Sequence, residues 1–587
     1  MTPPPPTGFA IAPIAIAPLF VELVLTVIAI LLLFAWPRLG APFFARVERA
    51  FVPLARRRGL SVLVVFLTAL LLRLAILPVC PIPNPIVPDD FSFLFSADTF
   101  AHLRLTNPTP PMWIHFESIH ITMHPTYMSM YFPAQGLILA AGTLLFGHPW
   151  FGLLLVNALM CAAICWMLQA WLPPTWALLG GLLSILHLAL FSYWINTCHA
   201  AAIAALGGAL VLGALPRLMK SFRLRDGVLL ALGIVILALS RPFEGLLLCL
   251  PVSIALARWA FFSARRPPLS RLLLRAALPL AFIAAGLGWL AYFDKVAWGS
   301  PLTLPYTVGR AQYATAPYFI WQSRRPEPHY NHPVMRAYHY ETEQKVANQS
   351  RGPLGYLLVK VAMALVAIQF FAGIALLPPL IMVPQVFRDR RIRFLVVCVL
   401  VLAAGMSIQV FLLAHYLAPF TAAFYAIGLQ CMRHLRVWSR GGRPVGMTLV
   451  RMLVFTCVLM GVARVYAGPL HLALPEWPGT AWNFIWYGPD HFGTERVRVQ
   501  DLLGSQPGKQ LAIVRYSAQH NPYDEWVYNS ADIEDSPVIW AREMDVAHNR
   551  ELLDYYKDRT AWLIQPDQQP AGVAKYSNEA GANAGSH

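Results

Sequence analysis

Two adjacent carboxylates, Asp89 and Asp90, are the side chains of this sequence best placed for acid–base chemistry. They stand in "NPIVPDDFSFLF", shortly after an apolar run at about 60–78 that is long enough to cross a bilayer. An ionised carboxylate beside a membrane is costly unless it is solvated, paired or used, and a neighbouring like charge raises one pKa. Such a group can act as a general base toward an attacking hydroxyl. The alternative is structural, because an Asp before "FSFLFSADTFAHL" is also a good helix N-cap.

The same polar segment, 79–131, carries further groups that could contact a substrate. "ADTFAHLRL" has helical spacing, which places Asp98 and His102 on one face. The predicted substrate-contacting residues are His102, Arg104, Glu117, His124, Tyr127 and Tyr131. His115, His120 and His124 raise the question of a divalent metal, but their x4 and x3 spacing is loose and no strong ligand set follows. We therefore expect ordinary loop histidines, no metal site and no cofactor.

The composition decides what kind of element must position these groups. Of 587 residues, 57% are hydrophobic and only 13% are charged, whereas a soluble domain carries about 25% charged residues. This excludes soluble, disordered and fibrous proteins. The net charge of +16 resides in short basic clusters between apolar runs, a pattern of membrane topology and not of nucleic-acid binding. The eight cysteines lie in or beside apolar runs, so no disulfide framework is implied.

The basic clusters predict the threading of the chain. Clusters at 37–59, 216–226, 263–275, 386–394 and 431–443 are placed in the cytoplasm. The segments 79–131 and 294–351 and everything after about 470 are then external, and 12 to 14 helices span the membrane. Four apolar runs fall between 132 and 215, but the charge rule requires an odd number of crossings there. One run is therefore predicted to be re-entrant or interfacial.

The sequence divides into four predicted parts. Residues 1–36 form an extra N-terminal transmembrane helix, 37–468 a helical membrane domain, and 567–587 a disordered tail. Residues 469–566 form a small extracytoplasmic α/β domain, with strands at "LAIVRY", "SPVIWAREM" and "TAWLIQP" and a helix at "VAHNRELLDYYKDR". This domain either binds an acceptor or covers the site, or it is a structural cap. The predicted fold is thus a polytopic α-helical membrane protein with a small α/β domain.

Several short motifs occur in an order that is similar to that of a known class of membrane enzymes. After the acidic pair come "HPTYMSMYFPAQGLILAAGTLLFGHPW", "SYWIN", "LALSRPFEGLLLCLP" and "NPYDEWVYNSADI". Over about 60–565 the chain resembles the integral-membrane glycosyltransferases of the GT-C fold. It is most similar to a bacterial subgroup of the protein-mannosyltransferase and aminoarabinose-transferase branch. It departs from that branch in having Asp-Asp where many relatives have Asp-Glu, and in the extra N-terminal helix.

The resemblance implies a hexosyl- or pentosyltransferase of the bacterial inner membrane. Such enzymes move a sugar from a polyprenyl-phosphate donor to an acceptor hydroxyl on the extracytoplasmic face, and an Asp of the first external loop acts as general base. The acceptor would be a glycan, a lipid or a protein. Carried over to this sequence, Asp89 is the better match for the base and Asp90 is the second candidate.

A lipid phosphate requires cationic or hydrogen-bonding partners outside the membrane. Arg241, at the helix bend "SRPFEG", is the leading candidate, with Glu244 as a neighbouring substrate contact; the alternative is an internal Arg–Glu pair that fixes the bend. The other predicted phosphate-binding residues are Arg324, Arg325, Arg336, His332, His415 and Tyr416. The basic residues within 324–336 could equally bind the headgroups of membrane lipids instead of the donor phosphate. His415 and Tyr416 also suit an interfacial aromatic belt.

Two other functions share this membrane setting. A lipid-linked sugar transporter or flippase would show two similar halves with broken helices, and the sequence shows no such halves. A polysaccharide polymerase or ligase would share the external Arg and His residues, and the early acidic pair argues against it only weakly. A non-catalytic assembly protein gives no reason for acids beside a membrane exit. Membrane lipids are expected partners, and nucleic acid is not.

Overall fold

The computed structural model describes residues 16–85, 87–263, 266–350, 352–467 and 494–577. Its larger part is an assembly of helices that begin mostly at prolines or polar residues flanking apolar runs. A proline suits the first helical turn because its missing N–H would have no partner there. The helices are α1 Ile16–Ala35, α2 Ala41–Arg56, α3 Arg58–Ala75, α4 Pro88–Ala101, α5 Pro133–Phe146, α6 Pro149–Trp171, α7 Pro174–Ser184, α8 Tyr193–Asn196, α9 Ala201–Ser221, α10 Leu224–Ser240, α11 Pro242–Phe262, α12 Leu269–Trp298, α13 Pro305–Tyr313, α14 Pro333–Arg336, α15 Glu343–Gln349, α16 Gly352–Ala372, α17 Val383–Arg388, α18 Arg393–Ser407, α19 Thr421–Arg436 and α20 Val445–Ala467.

Within the described residues, seven of these helices are long and apolar enough to cross a membrane, and four shorter apolar helices accompany them. Their outer faces expose large aliphatic side chains, as on α12, where Leu274 is 77% and Leu280 61% exposed. Side chains of this kind are stable when lipid surrounds them. The chain is therefore a multi-pass α-helical membrane protein, as the composition predicts. The count of 12 to 14 spans stays a prediction.

The five basic clusters meet at one end of the helical assembly. Arg436, the last residue of α19, donates to both carboxylate oxygens of Glu48 in α2, at 3.1 and 2.9 Å. Gln169, at the end of α6, donates to the Arg58 carbonyl at 2.9 Å, and Arg275 of α12 donates to the carbonyl of Phe222. Gln430 of α19 bonds to Asp389 in the fourth cluster. We call this the basic end, and the opposite one the site end.

Helix α5 explains why the segment 132–215 has four apolar runs but needs an odd number of crossings. The helix starts two residues after Tyr131, which hydrogen-bonds Asp89 at the site end. It ends just before Trp150, whose indole donates to the Ile195 carbonyl at 3.3 Å. Ile195 belongs to the segment 190–200, which also binds Asp90 through the Cys198 amide, so it lies at the site end too. Since both ends of α5 are at the site end, only α6, α7 and α9 cross between the two ends.

The C-terminal part of the chain is a small α/β domain. Its helices are α21 Thr494–Gly504 and α22 Val546–Tyr555, and its strands are β3 Lys509–Val514, β4 Val538–Arg542, β5 Arg559–Gln565 and β6 Gly572–Lys575; a short hairpin, β1 Ile121–Thr122 with β2 Met128–Ser129, precedes them in the chain. The sheet order is β4-β3-β5-β6, with the first three strands parallel and β6 antiparallel. The three predicted strands and the predicted helix are confirmed. The sheet also extends past the expected boundary at 566, because β6 lies within the predicted tail 567–587 and pairs with the edge of β5. Residues 578–587 of that tail lie outside the described residues.

The α/β domain is fixed to the polar segment 79–131 by side chains on both sides. Arg104 forms a bidentate ion pair with Asp532, at 2.9 and 2.7 Å. Arg542, buried at the end of β4, donates to the Glu117 carbonyl at 2.8 Å. The ring of Tyr528 stacks on Phe91 with centroids 4.1 Å apart. The domain is therefore part of the architecture of the site end.

Glu48 joins three helices at the basic end, and its loss should destabilise the protein. Its carboxylate accepts hydrogen bonds from Arg436 of α19 and from Arg451 of α20, the latter at 2.8 and 2.9 Å. Burial raises the pKa of Glu48, but these guanidinium groups outweigh burial and lower it to about 2. The stabilisation is complete above the ordinary carboxyl pKa and is lost as the pH falls toward 2.

We expect Glu48→Gln to lower the melting temperature in detergent at neutral pH. The expected loss in the free energy of unfolding is about 1 kcal/mol, because solvent screens a partly exposed carboxylate. The difference from the wild type should shrink as the pH is lowered. Glu551→Gln, at an exposed position of α22, is the control. Equal melting temperatures for Glu48→Gln and the wild type at neutral pH would contradict this account.

Candidate active site

A cavity opens at the site end of the protein. Asp89 enters it from the first turn of α4, and His199 enters from the segment 190–200 before α9. Arg241 comes from the bend between α10 and α11, and Tyr523 from the C-terminal domain. Parts of the chain that are more than 400 residues apart thus meet around one space.

Asp89 is held in its ionised form inside this cavity. The Tyr131 hydroxyl donates to its Oδ1 at 2.5 Å, while His120 Nδ1 lies 3.6 Å from Oδ2 and His199 Nε2 3.7 Å from Oδ1. Burial by itself raises the pKa of the Asp89 carboxyl, but His120, His199 and Tyr131 outweigh burial and hold it well below its usual range. The first turn of α4 adds the favourable end of the helix dipole. These surroundings favour the negatively charged form of the carboxylate.

His120 connects Asp89 to the side of the cavity formed by the C-terminal domain. Its Nδ1 lies 2.9 Å from the Tyr131 hydroxyl and its Nε2 lies 3.1 Å from the Tyr338 hydroxyl. The ring of Tyr338 in turn contacts the ring of Tyr523, with centroids 5.4 Å apart. A continuous series of hydrogen bonds therefore leads from the carboxylate to Tyr338, and such a series can carry a proton away from Asp89.

Asp90 has a different position from its neighbour. It is fully buried and is not among the residues that line the cavity. Its Oδ1 accepts a hydrogen bond from the Cys198 amide at 2.6 Å and lies 3.9 Å from His199 Nδ1. Asp90 thus holds the segment that carries His199, while Asp89 faces the space where a substrate can bind.

Arg241 presents a guanidinium group to the cavity although the residue is only 6% exposed. Its Cζ lies 4.6 Å from the centre of the Tyr416 ring, a cation–π contact. Within the described part of the chain, the Nε of this guanidinium has no hydrogen-bond partner, and Glu244 acts on the guanidinium electrostatically without forming an ion pair within 4.0 Å. A buried cation of this kind is stabilised when an anion binds beside it. Glu244 itself is buried beside the bend and does not line the cavity.

His415 and Tyr416 lie on a short 3₁₀ turn that precedes α19, and both line the same cavity. His415 Nδ1 is 3.1 Å from the Tyr193 hydroxyl, and its ring lies 4.7 Å from the ring of His199. Three of the predicted phosphate-binding residues, Arg241, His415 and Tyr416, therefore surround one region of the cavity.

An apolar groove adjoins this region, and Leu412 lines both the groove and the cavity. Helices α16, α18 and α19 form the groove with side chains that are almost all aliphatic or aromatic. Lys360 and Ser407 are the exceptions, and the ammonium group of Lys360 donates to the carbonyls of Gln409 and Val410. The groove has the surface chemistry that a long hydrocarbon chain requires.

The other basic residues predicted to bind phosphate lie outside the cavity. Arg324 donates to the Asn348 side chain and Arg325 to the Arg310 carbonyl, both at the surface. Arg336 forms ion pairs with Glu327 and Glu341 at 2.7 and 2.6 Å. His332 is buried, with Nε2 2.6 Å from the Ile114 carbonyl, and burial lowers its pKa to about 3.

Of the predicted substrate-contacting residues, Tyr131 alone lines the cavity. The others contact neighbouring protein groups outside the cavity. Glu117 accepts from Tyr313 and Asn331 at 2.7 and 2.8 Å, Arg104 forms an ion pair with Asp532, and His102 lies 3.3 Å from Asp98. The ring of His124 contacts Trp113, and the ring of Tyr127 packs on Phe95. The predicted helical face shared by Asp98 and His102 is present. These residues shape the external segment and attach the C-terminal domain to it.

Several residues that line the cavity have no predicted site role in the sequence. His120 was considered only as a metal ligand, and His199, Arg310, Tyr338 and Tyr523 were not considered. A signal for His199 existed, since "INTCHA" interrupts two apolar runs with polar residues. No spacing pattern connects Tyr523 with Asp89, because tertiary packing alone brings them together. In the described ranges, no group of three or more His, Cys, Asp or Glu side chains is arranged to hold a metal ion.

No family model and no curated protein matches this sequence. Among solved structures, the chain is similar to ArnT from Cupriavidus metallidurans bound to undecaprenyl phosphate, at 13% identity over 86% of this chain and 92% of that one, with a TM-score of 0.49. The apo state of that protein gives 14% identity, 90% and 93% coverage and a TM-score of 0.46. The Archaeoglobus fulgidus oligosaccharyltransferase in complex with Zn and sulfate gives 12% identity, 85% and 67% coverage and a TM-score of 0.42.

Proposed function

We propose that this protein is a membrane glycosyltransferase that moves a sugar from a polyprenyl-phosphate donor to an acceptor hydroxyl, with Asp89 as the general base. One observation carries the proposal: the partly buried carboxylate of Asp89 and the buried guanidinium of Arg241 face the same cavity. The first suits proton abstraction and the second suits a phosphate. The apolar groove beside Arg241 suits the polyprenyl chain.

In the proposed reaction, the acceptor oxygen forms a bond to the anomeric carbon of the donor sugar. The bond between that carbon and the phosphate oxygen breaks, and its electron pair leaves with the polyprenyl phosphate. Asp89 takes the proton of the acceptor hydroxyl, and Tyr131 and His120 provide its route out of the cavity. Arg241 stabilises the negative charge that accumulates on the leaving phosphate.

The orientation in the membrane follows from the positive-inside rule. The five basic clusters share the basic end, so that end belongs in the cytoplasm and the site end outside it. Polyprenyl-linked sugars on the outer face of a bacterial inner membrane would reach the cavity from the lipid through the groove. The C-terminal α/β domain is then extracytoplasmic.

The direct test is transfer by the purified full-length protein. Detergent-solubilised protein is incubated with radiolabelled polyprenyl-phosphate hexose and pentose donors and a membrane extract that supplies acceptors. We expect protein-dependent release of polyprenyl phosphate and labelling of one acceptor fraction. Translocation of intact donor across liposomes without release of polyprenyl phosphate would instead identify a flippase and contradict the proposal.

The surroundings of Asp89 predict an effect of His120 on the pH dependence of the reaction. Burial raises the pKa of Asp89, and His120 is among the groups that offset burial. In His120→Gln, the carboxyl should therefore bind a proton at higher pH, and the acid side of the kcat/KM profile should move upward in pH. His548→Gln, on the exposed face of α22, is the matched control. An unchanged profile in His120→Gln would contradict the assigned electrostatic role.

A further inference from the structure

Tyr523 brings the C-terminal domain into the cavity wall. It lies in the segment 515–537, between β3 and β4, and its ring contacts Tyr338. Tyr338 also contacts His120, the hydrogen-bonding neighbour of Asp89. By contrast, the apolar groove adjoins the cavity at Leu412, and Tyr416, which contacts Arg241, precedes the groove residue Leu417 in the chain. The cavity therefore has a lipid side and an aromatic side, and Asp89 faces the space between them.

The aromatic side is a fixed wall. Glu525, two residues after Tyr523, is buried and forms an ion pair with Arg542 at 2.8 Å. The carbonyl of Val527 accepts from the Ser118 hydroxyl at 2.6 Å, and Tyr528 stacks on Phe91, two residues after Asp89. These contacts hold the segment against the helix that carries the base. Tyr523 is accordingly positioned with respect to Asp89 by the fold itself.

The chemistry of this wall limits what can bind to it. Arg310 and Glu343, which also line the cavity, form an ion pair at 3.3 Å. An acidic acceptor would meet Asp89 and Glu343 without an unpaired cation among the described residues of this side. A peptide that binds by strand addition needs an exposed strand edge, and the segment 515–537 forms no strand. Two tyrosines offer apolar ring faces together with hydroxyl groups, which matches the C–H faces and hydroxyls of a sugar ring.

We propose that Tyr338 and Tyr523 form the acceptor subsite and that the acceptor hydroxyl belongs to a neutral carbohydrate. This inference rests on the proposed function, since it assigns the second substrate of the same cavity. It also gives the C-terminal domain a role: that domain supplies a specificity-determining residue to a site whose base lies in the membrane domain. The carbohydrate would stand between Tyr523 and Asp89, opposite the lipid phosphate.

The test measures binding of three probes to the full-length protein in detergent: a mixture of neutral gluco-, manno- and galacto-configured trisaccharides, a Ser/Thr-rich peptide, and undecaprenyl phosphate. Saturation-transfer NMR reports sugar and peptide binding, and native mass spectrometry reports the lipid. We expect a trisaccharide to bind, and Tyr523→Ala and Tyr338→Ala to weaken it by about 10-fold. Tyr523→Phe should retain most of the affinity, and Tyr555→Ala, an exposed tyrosine of the same domain, is the control.

The two proposals fail in different ways. Equal sugar affinity in Tyr523→Ala and wild type, no sugar binding by the wild type, or Tyr523-dependent binding of the peptide instead would each overturn the acceptor assignment. Binding of undecaprenyl phosphate should require Arg241 and should not require Tyr523. If Arg241→Gln bound the lipid as tightly as the wild type, that result would count against the proposed function and not against the acceptor assignment. In the transfer assay, Tyr523→Ala should raise the acceptor KM more than it lowers kcat, which a purely structural role would not predict.

Discussion

Asp89→Asn is expected to reduce sugar transfer by about a hundred- to ten-thousand-fold, the range that a general base contributes. Asn preserves the shape of the side chain and its bond to Tyr131, but it cannot accept a proton. Donor binding should persist, because Arg241 and the groove are unchanged. The measurement is single-turnover transfer at saturating donor, combined with donor binding to the same preparation.

Asp90→Asn is the informative comparison for this variant. Asp90 accepts the Cys198 amide and positions the segment that carries His199, and it does not face the cavity. An amide oxygen can still accept that hydrogen bond, so we expect Asp90→Asn to retain substantial transfer and to lose some thermal stability. Full activity of Asp89→Asn, or loss of activity in Asp90→Asn alone, would contradict the choice of Asp89 as the base.

Arg241→Gln is expected to weaken binding of undecaprenyl phosphate by about 100-fold, equivalent to about 2.7 kcal/mol. Among the described residues, the wild-type guanidinium forms no ion pair within 4.0 Å and its Nε has no hydrogen-bond partner, so it can donate to the phosphate, and a charge-assisted hydrogen bond in a buried site is strong. Gln removes the charge and leaves a polar side chain of moderate size. Affinity is measured by native mass spectrometry of the detergent-solubilised protein over a range of lipid concentrations.

Arg498→Gln, at the surface of the C-terminal domain, is the control for the general loss of a positive charge. Arg324→Gln tests the other predicted location of the phosphate, because Arg324 lies at the surface outside the cavity. If Arg324→Gln weakened lipid binding and Arg241→Gln did not, the phosphate site would lie on the external loop, and the assignment of the cavity would be wrong.

The membrane architecture was largely accessible from the sequence because its determinants are local. The apolar runs and basic clusters predicted the crossing helices and the shared basic end, and strand patterns predicted the α/β domain. The sequence showed that the four apolar runs within 132–215 conflict with the odd number of crossings required there. It did not show which of the four runs fails to cross. The first of the four runs, α5, is as apolar as its neighbours, and its position is decided by the contacts of Tyr131 and Trp150 at either end.

The cavity could be predicted only in part, for the same physical reason. Asp89 and Arg241 were recognised because a charged residue at a membrane boundary is conspicuous by itself. Arg324 and Arg336 looked equally suitable, yet surface partners surround them, which no local pattern reveals. Tyr338 and Tyr523 reach the site through long-range packing, and each is an ordinary aromatic residue in its own sequence context.

The account depends most directly on where the lipid phosphate binds. Electron cryo-microscopy of the full-length protein with undecaprenyl phosphate would show this. We predict phosphate density within hydrogen-bonding distance of Arg241, on the side of the cavity that adjoins Leu412, with the polyprenyl chain extending between α16, α18 and α19. Phosphate density beside Arg324 and Arg336 with no density at Arg241 would contradict the central claim that Asp89 and Arg241 act on one lipid-linked substrate.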